Sequence, residues 1–309
     1  MPQPDGPVRT EPADPPVQDI APAGDVVDGL DALDLPTNAV RTVTAGERWR
    51  RIAKAAVPPI VAVILLIVIW QALWAAAFWP EFQLPAPAAV WSVLWGLITT
   101  GQIFSVLWVS VHRAVFGFLI GLVIATPLGL LMAKVRMIRS AIGPLLSGLQ
   151  SLPSVAWVPA AVLWFGTTPP AIYVVVLLGS VPSIANGLVS GIEQIPPILP
   201  RVGTVLGAGP LASARHILLP AALPGYLAGL KQGWAFSWRS LMAAELIANS
   251  PQLGLGLGQF LQDGSSLNDM PTVIAAIVLI LLVGVGIDLL AFRPLERRVL
   301  RSRGLSGAL

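Results

Sequence analysis

The feature that most constrains this chain is a succession of apolar blocks, each about the ~20 residues that a helix needs to cross a bilayer. From Val57 to Phe78 there is not one charged side chain. Within hydrocarbon every backbone polar group must find its partner inside the protein, so such blocks fold as helices. Only 11% of the residues are charged and 55% are hydrophobic, against roughly a quarter charged in soluble domains. The fold class that follows is an all-α, polytopic membrane protein.

The blocks give about six spans. The first runs from Val57 to Phe78, behind the basic group Arg48, Arg50, Arg51 and Lys54, with Trp70, Trp74 and Trp79 toward its far end. Pro85 and Pro87 open a short amphipathic helix ending near Thr100. A second span, Ile103 to Ala133, ends in Lys134, Arg136 and Arg139, and a third, Ile142 to Phe165, is interrupted by Pro153 and Pro159. The fourth covers Ala171 to Gly191, the fifth Ala221 to Ala248 and the sixth Pro271 to Phe292. Every second connection carries Lys or Arg and the others carry none. The positive-inside rule then puts both termini in the cytoplasm. Residues 1–45 are acidic and Pro-rich and read as a disordered cytoplasmic tail, because they hold too little apolar surface to offset the cost of ordering. Residues 46–300 form the membrane domain and 301–309 a basic cytoplasmic tail.

Several kinds of chemistry are excluded. The chain has no cysteine and only two histidines, His112 and His216, in no metal-ligand spacing, so no metal site is expected. No G-x-x-x-x-G-K-[ST] loop occurs, so no nucleotide or other cofactor site is expected in the chain itself. The basic residues flank spans, a pattern that reports orientation and not nucleic-acid binding. An intramembrane hydrolase would need a nucleophile with its base inside the spans, and an ion-driven transporter usually shows internal repeats. Neither is visible.

The longest polar connection, Glu193 to Pro220, contains Arg201, Gly203, Leu206, Gly207, Ala208, Arg215, Leu219 and Pro220. Its apolar residues predict short helices, with Leu206, Leu211 and Ala214 on one face. Gly207 permits a tight bend or a close backbone contact, and Leu219-Pro220 opens the next helix. This segment resembles the cytoplasmic signature of ATP-binding-cassette (ABC) importer permeases. In that signature Glu-Ala-Ala is followed by a glycine and later by a Leu-Pro pair. Gly207 and Leu219-Pro220 match, whereas Arg201-Val202-Gly203 replaces the opening triplet. The resemblance continues in Ser110-Val111-His112-Arg113, Leu152-Pro153, Trp164-Phe165-Gly166, Pro220 to Pro224, Trp238-Arg239, Ala243-Ala244-Glu245 and Gly254-Leu255-Gly256. It is similar to the branch that imports nitrate, taurine and aliphatic sulfonates, and it covers about residues 57–300.

That resemblance implies a coupling helix between the fourth and fifth spans, docking on a separate ATPase that binds the ATP. It also implies delivery of solute by an extracytoplasmic binding protein, and a second permease copy, so that a homodimer encloses the path. Membrane lipid would surround it in the bacterial inner membrane, and the chain itself would not be an enzyme.

Among the ionisable residues inside the expected spans, four stand out: Arg113 on the second, and Lys231, Arg239 and Glu245 on the fifth. Intramembrane charges face a wet path or one another. Two readings stand side by side. Either Arg113 or Arg239 lines the path of an anion, or Glu245 pairs with Arg113 or with Arg239 to lock helices together. Gly117, Gly121 and Gly129 on the second span predict close helix packing.

Overall fold

A computed structural model describes residues 45–248 and 253–301, with side chains from residue 57 onward. The acidic tail and the residues after Arg301 lie outside the described residues. The chain divides into two units, residues 1–64 and 65–309. The described part of the first is the start of helix α1, Ala45–Ala75. Within the second unit, Leu65 to Ile69 of α1 are exposed aliphatics, and Trp70 Nε1 donates to the Pro85 carbonyl at 3.1 Å.

All regular structure among the described residues is helical. The short helix α2, Pro87–Thr99, starts with proline in its first turn and buries Val90 and Leu97. It packs against α3, Gln102–Lys134, and against α11, Met270–Ile287. After α3 come α4, Arg136–Ser151, a 3-10 turn at Ser154–Trp157, and α5, Val158–Phe165. The axis turns by 100° across this pair. The break has one cause. Pro153 disfavours helical dihedrals at the residue before it, and Leu152 is extended at ψ 133°. Pro159, expected to interrupt the span as well, sits in the first turn of α5, where its missing N–H leaves no bond unmade.

The centre of the unit is the pair α6, Pro169–Glu193, and α9, Leu219–Ile247. Glycines set their separation. A Cβ on Gly187 would lie 2.3 Å from Gly229 Cα, and one on Gly225 would lie 2.6 Å from Gly191 Cα. The two backbones therefore touch, as they do where small residues let membrane helices approach. On the other side of α6, Gly117 and Gly121 of α3 leave room for Val176 and Ser180, and Gly129 meets the Ala185 carbonyl. Val175, Val176, Ile184 and Leu188 of α6 are fully enclosed.

Between α6 and α9 lie the short helices α7, Ile198–Val205, and α8, Pro210–Ser213, the latter continuing through a π-helical turn at Ala214–Leu218 into α9. Beyond α9 come α10, Leu257–Ser266, and α11, which continues through a π turn at Asp288–Phe292 into α12, Arg293–Arg301. The last helical run thus extends past Phe292, where the sequence placed its end. By length and apolarity four described helices can cross a membrane, and the bent α4–α5 pair counts as a fifth. At 29 residues α9 is about 43 Å long, ample for a bilayer, but it carries Lys231, Arg239 and Glu245.

Candidate functional site

Two constellations stand out, at opposite ends of α9. At its start, α7 ends in a left-handed residue, Gly207, with φ +76°. The Ala208 N–H donates to the Gly203 carbonyl at 2.9 Å and the Gly207 N–H to the Thr204 carbonyl at 3.0 Å. These are the two bonds of a Schellman cap, which needs the left-handed conformation that glycine adopts without penalty. The role of Gly207 is therefore the tight bend; a Cβ there would meet open space, so no close contact is involved. The close contact belongs to Gly203, where a Cβ would fall 2.1 Å from Ile217 Cδ1. This packs α7 against the π turn that leads into α9. Lys134 Nζ donates to the Pro210 carbonyl at 2.7 Å, tying the unit to the end of α3.

The side chains sort into two sets. Ala214 and Leu218 are buried inward. Val205, Leu206 and Leu211 are 79–86% exposed, beside exposed Arg201 and Arg215. The predicted face of Leu206, Leu211 and Ala214 is thus divided: Leu206 and Leu211 point outward, whereas Ala214 is buried with Leu218. Ala208 and Leu219 are half-buried and Pro220 is exposed at the first turn of α9. A cleft of about 770 Å³ lies behind α7, bounded among others by Gln194, Leu199, Leu206, His216 and Pro220.

At the other end, Glu245 is fully buried and organises a polar knot. Arg113 Nη1 donates to Glu245 Oε1 at 3.0 Å, and Ser110 Oγ donates to Oε2 at 2.7 Å. The Gly258 N–H donates to Oε2 at 3.1 Å, the Leu257 N–H to Ser110 Oγ at 2.8 Å, and Arg113 Nη2 to the Leu253 carbonyl. A Cβ on Gly256 would lie 2.6 Å from the carboxylate, and one on Gly258 2.5 Å from Glu245 Cβ. One carboxylate therefore joins α3, α9 and the start of α10. Every charge in the knot has a partner, the condition under which buried ions persist.

Arg239 lies elsewhere. It is exposed, its Nε donates to the Ala235 carbonyl at 3.1 Å, and its guanidinium sits 4.9 Å from the Phe236 ring centre. It does not compete for Glu245. Lys231 Nζ lies 2.9 Å from Asp288 Oδ1, which joins α9 to the π turn after α11. Sequence reasoning gave no site role to Gly258 or Asp288, and it named Ser110 only as part of the motif that ends in Arg113. Asp288 carried a readable signal, as the single acid of the last span. The other two are legible only when the fold brings them to Glu245. No cluster of metal-ligating side chains occurs among the described residues.

Comparison with known proteins places this geometry. Residues 117–301, more than half of the chain, match the family described as binding-protein-dependent transport system inner membrane component. A Methanocaldococcus jannaschii protein named as an ABC transporter permease is 32% identical over 72% of this chain and 84% of its own length. A Bacillus subtilis protein named as an aliphatic sulfonates transport permease is 28% identical over 77% of this chain and 85% of its own. The nitrate import permease of a Synechocystis species is 28% identical over 79% and 93%. These relatives are permease subunits and not ATPases. The chain therefore belongs to the binding-protein-dependent transport system inner membrane component family, as a multi-pass ABC importer permease of the bacterial inner membrane that works with an ATPase and a solute-binding protein.

Proposed function

We propose that this permease carries a small organic or inorganic anion, with sulfonates such as taurine first and nitrate, bicarbonate or a vitamin precursor as alternatives. Relatives named for aliphatic sulfonates and for nitrate support the anion class. In this reading six spans cross the membrane, α9 included, and both termini are cytoplasmic. Two copies enclose the path as a homodimer, and ATP binds only the partner ATPase.

Coupling runs through the α7–α8 unit. The observation that carries this is the rim of Val205, Leu206 and Leu211, three large apolar side chains held outward on a capped and rigid unit between Arg201 and Arg215. Apolar anchors of this kind in a polar rim suit a protein partner. The unit is continuous with α9 through Leu219-Pro220, so a push on the rim moves a rod about 43 Å long. Gly203, Gly207 and Ala208 shape the unit, and the rim makes the contact.

Growth of a deletion strain on taurine as sole sulfur source tests both parts. The restored gene is expected to cure a defect that is absent on sulfate. The gene carrying L206E and L211E should insert normally, since both positions are exposed, yet lose at least about tenfold in uptake and lose co-purification of the ATPase. Full uptake by that variant would refute the coupling role. Unimpaired growth of the deletion strain would move the substrate to nitrate, bicarbonate or a vitamin precursor.

A further inference from the structure

Arg113 and Glu245 satisfy each other and Lys231 is paired with Asp288, which leaves Arg239 as the one charge inside α9 with no ion-pair partner among the described residues, held on the Ala235 carbonyl and the Phe236 ring. The polar surface at membrane depth lies elsewhere, on α4. Arg136, Arg139, Ser140, Ser147, Gln150 and Ser151 recur at intervals of three, four and seven residues. At 3.6 residues per turn they fall within about 120° of arc, with Leu145 on the opposite side. The stripe is mostly exposed and borders α6 along one edge, beside the apolar face of Ile142, Leu146 and Leu149 that packs on it. Arg139 pairs with Glu193 at one end, and Gln150 Nε2 donates to Ser183 Oγ at 3.3 Å at the other. Residues 139–150 of α4 thus run antiparallel beside residues 183–193 of α6, so α4 stands along the spanning helix and does not lie flat on the surface. The run is about 15 Å long, half of a ~30 Å hydrocarbon core.

Between the two helices is a groove of about 600 Å³, lined by Arg136, Ser140 and Ser147 of α4 and by Asn186, Ser190 and Glu193 of α6. Ser140 Oγ is satisfied by the Met137 carbonyl at 2.9 Å, so the polar groups left to meet water or a solute are those of Ser147, Asn186 and Ser190, which would be expensive against lipid. Arg139 is neutralised by Glu193, whereas Arg136 has no ion-pair partner among the described residues. One positive charge is left at the mouth. The inner end adjoins the 100° break at Leu152-Pro153, and discontinuous helices mark solute paths in other transporters.

We infer that the α4–α6 groove is one wall of the inner half of the translocation path, lined to pass a small hydrogen-bond-accepting anion, with Arg136 drawing it toward the cytoplasm. This rests on the permease reading above. It moves the path away from Arg113, Arg239, Lys231 and Glu245, and it names side chains that donate to oxyanions such as sulfonate, nitrate or bicarbonate.

The natural chain has no cysteine, so single thiols report without background. In inverted membrane vesicles holding the assembled transporter, S147C and L145C are treated with the anionic sulfonatoethyl and the cationic trimethylammonioethyl methanethiosulfonates. Both positions are exposed on the single chain, which makes them a matched pair. S147C is expected to react at least about tenfold faster than L145C, which faces lipid. Adding Arg136→Gln should slow the anionic reagent about threefold or more relative to the cationic one, because the local field falls. Equal reactivity of S147C and L145C would overturn the groove, and an unchanged anion-to-cation ratio would overturn the role of Arg136. Labelling should persist with L206E and L211E in place, so a failure of the coupling reading leaves this test intact.

Discussion

Glu245 shows how one residue can hold three elements. Its two oxygens accept from Arg113, Ser110 and the Gly258 N–H, and the glycines at 256 and 258 leave the room that the Glu245 side chain occupies. Removing one partner of a buried pair strands the other charge, a loss of about 3–5 kcal/mol. Glu245→Ala should therefore lower the detergent-solubilised melting temperature sharply. Glu245→Gln, which keeps an acceptor for Ser110 and Gly258, should lose clearly less. The two are compared by thermal unfolding and by membrane level, and equal losses would show that shape alone matters at this site. Exchanging the charges, Arg113→Glu with Glu245→Arg, is expected not to rescue, because an arginine at 245 would face the Gly258 donor in a pocket closed by glycine. From the sequence, Arg113 and Glu245 were legible as partners or as path residues. The backbone donors that make the site fit a carboxylate were not, because Gly258 has no side chain to announce it.

At the scale of elements, the α6–α9 pair shows what glycine does in a helix interface. The sequence singled out Gly117, Gly121 and Gly129 on α3 and passed over Gly187, Gly191, Gly225 and Gly229, which make the closer contact. Both pairs carry the local G-x-x-x-G spacing, Gly187-Leu-Val-Ser-Gly191 and Gly225-Tyr-Leu-Ala-Gly229, but that the two motifs meet each other across the whole α7–α8 unit is decided by the packing. Gly229→Val would place its Cβ against Gly187 Cα and should destabilise by about 1–3 kcal/mol or more through overpacking. Gly148→Ala, with nothing near its Cβ, should be neutral in the same unfolding measurement. The break between α4 and α5 is the reverse case. Leu152-Pro153 could be read directly, because a proline dictates the dihedrals of its own neighbour. The division of Leu206, Leu211 and Ala214 between surface and core was not legible, because the bend at Gly207 breaks the helix between Leu206 and Leu211 and a single helical period does not run across it.

For the molecule as a whole, orientation is a question of charge. If the basic connections are cytoplasmic, a cysteine at Ser265 should label with a membrane-impermeant maleimide from outside intact cells. One at Ser213 should label only after permeabilisation, and the opposite pattern would invert every assignment of inner and outer face. The helical fold class and the permease family were written in the sequence, and the orientation is the expectation that the same charges give. They depend on local quantities: the length of each apolar run, the sign of each connection, and a short motif around Gly207 and Leu219-Pro220. The tertiary structure alone decided which charges neutralise one another, which glycines touch, and which polar stripe remains to meet a solute. Those facts are distances between residues up to 147 positions apart, as between Ser110 and Leu257. Such distances are set by how helices pack, and the order of residues along one helix does not contain them.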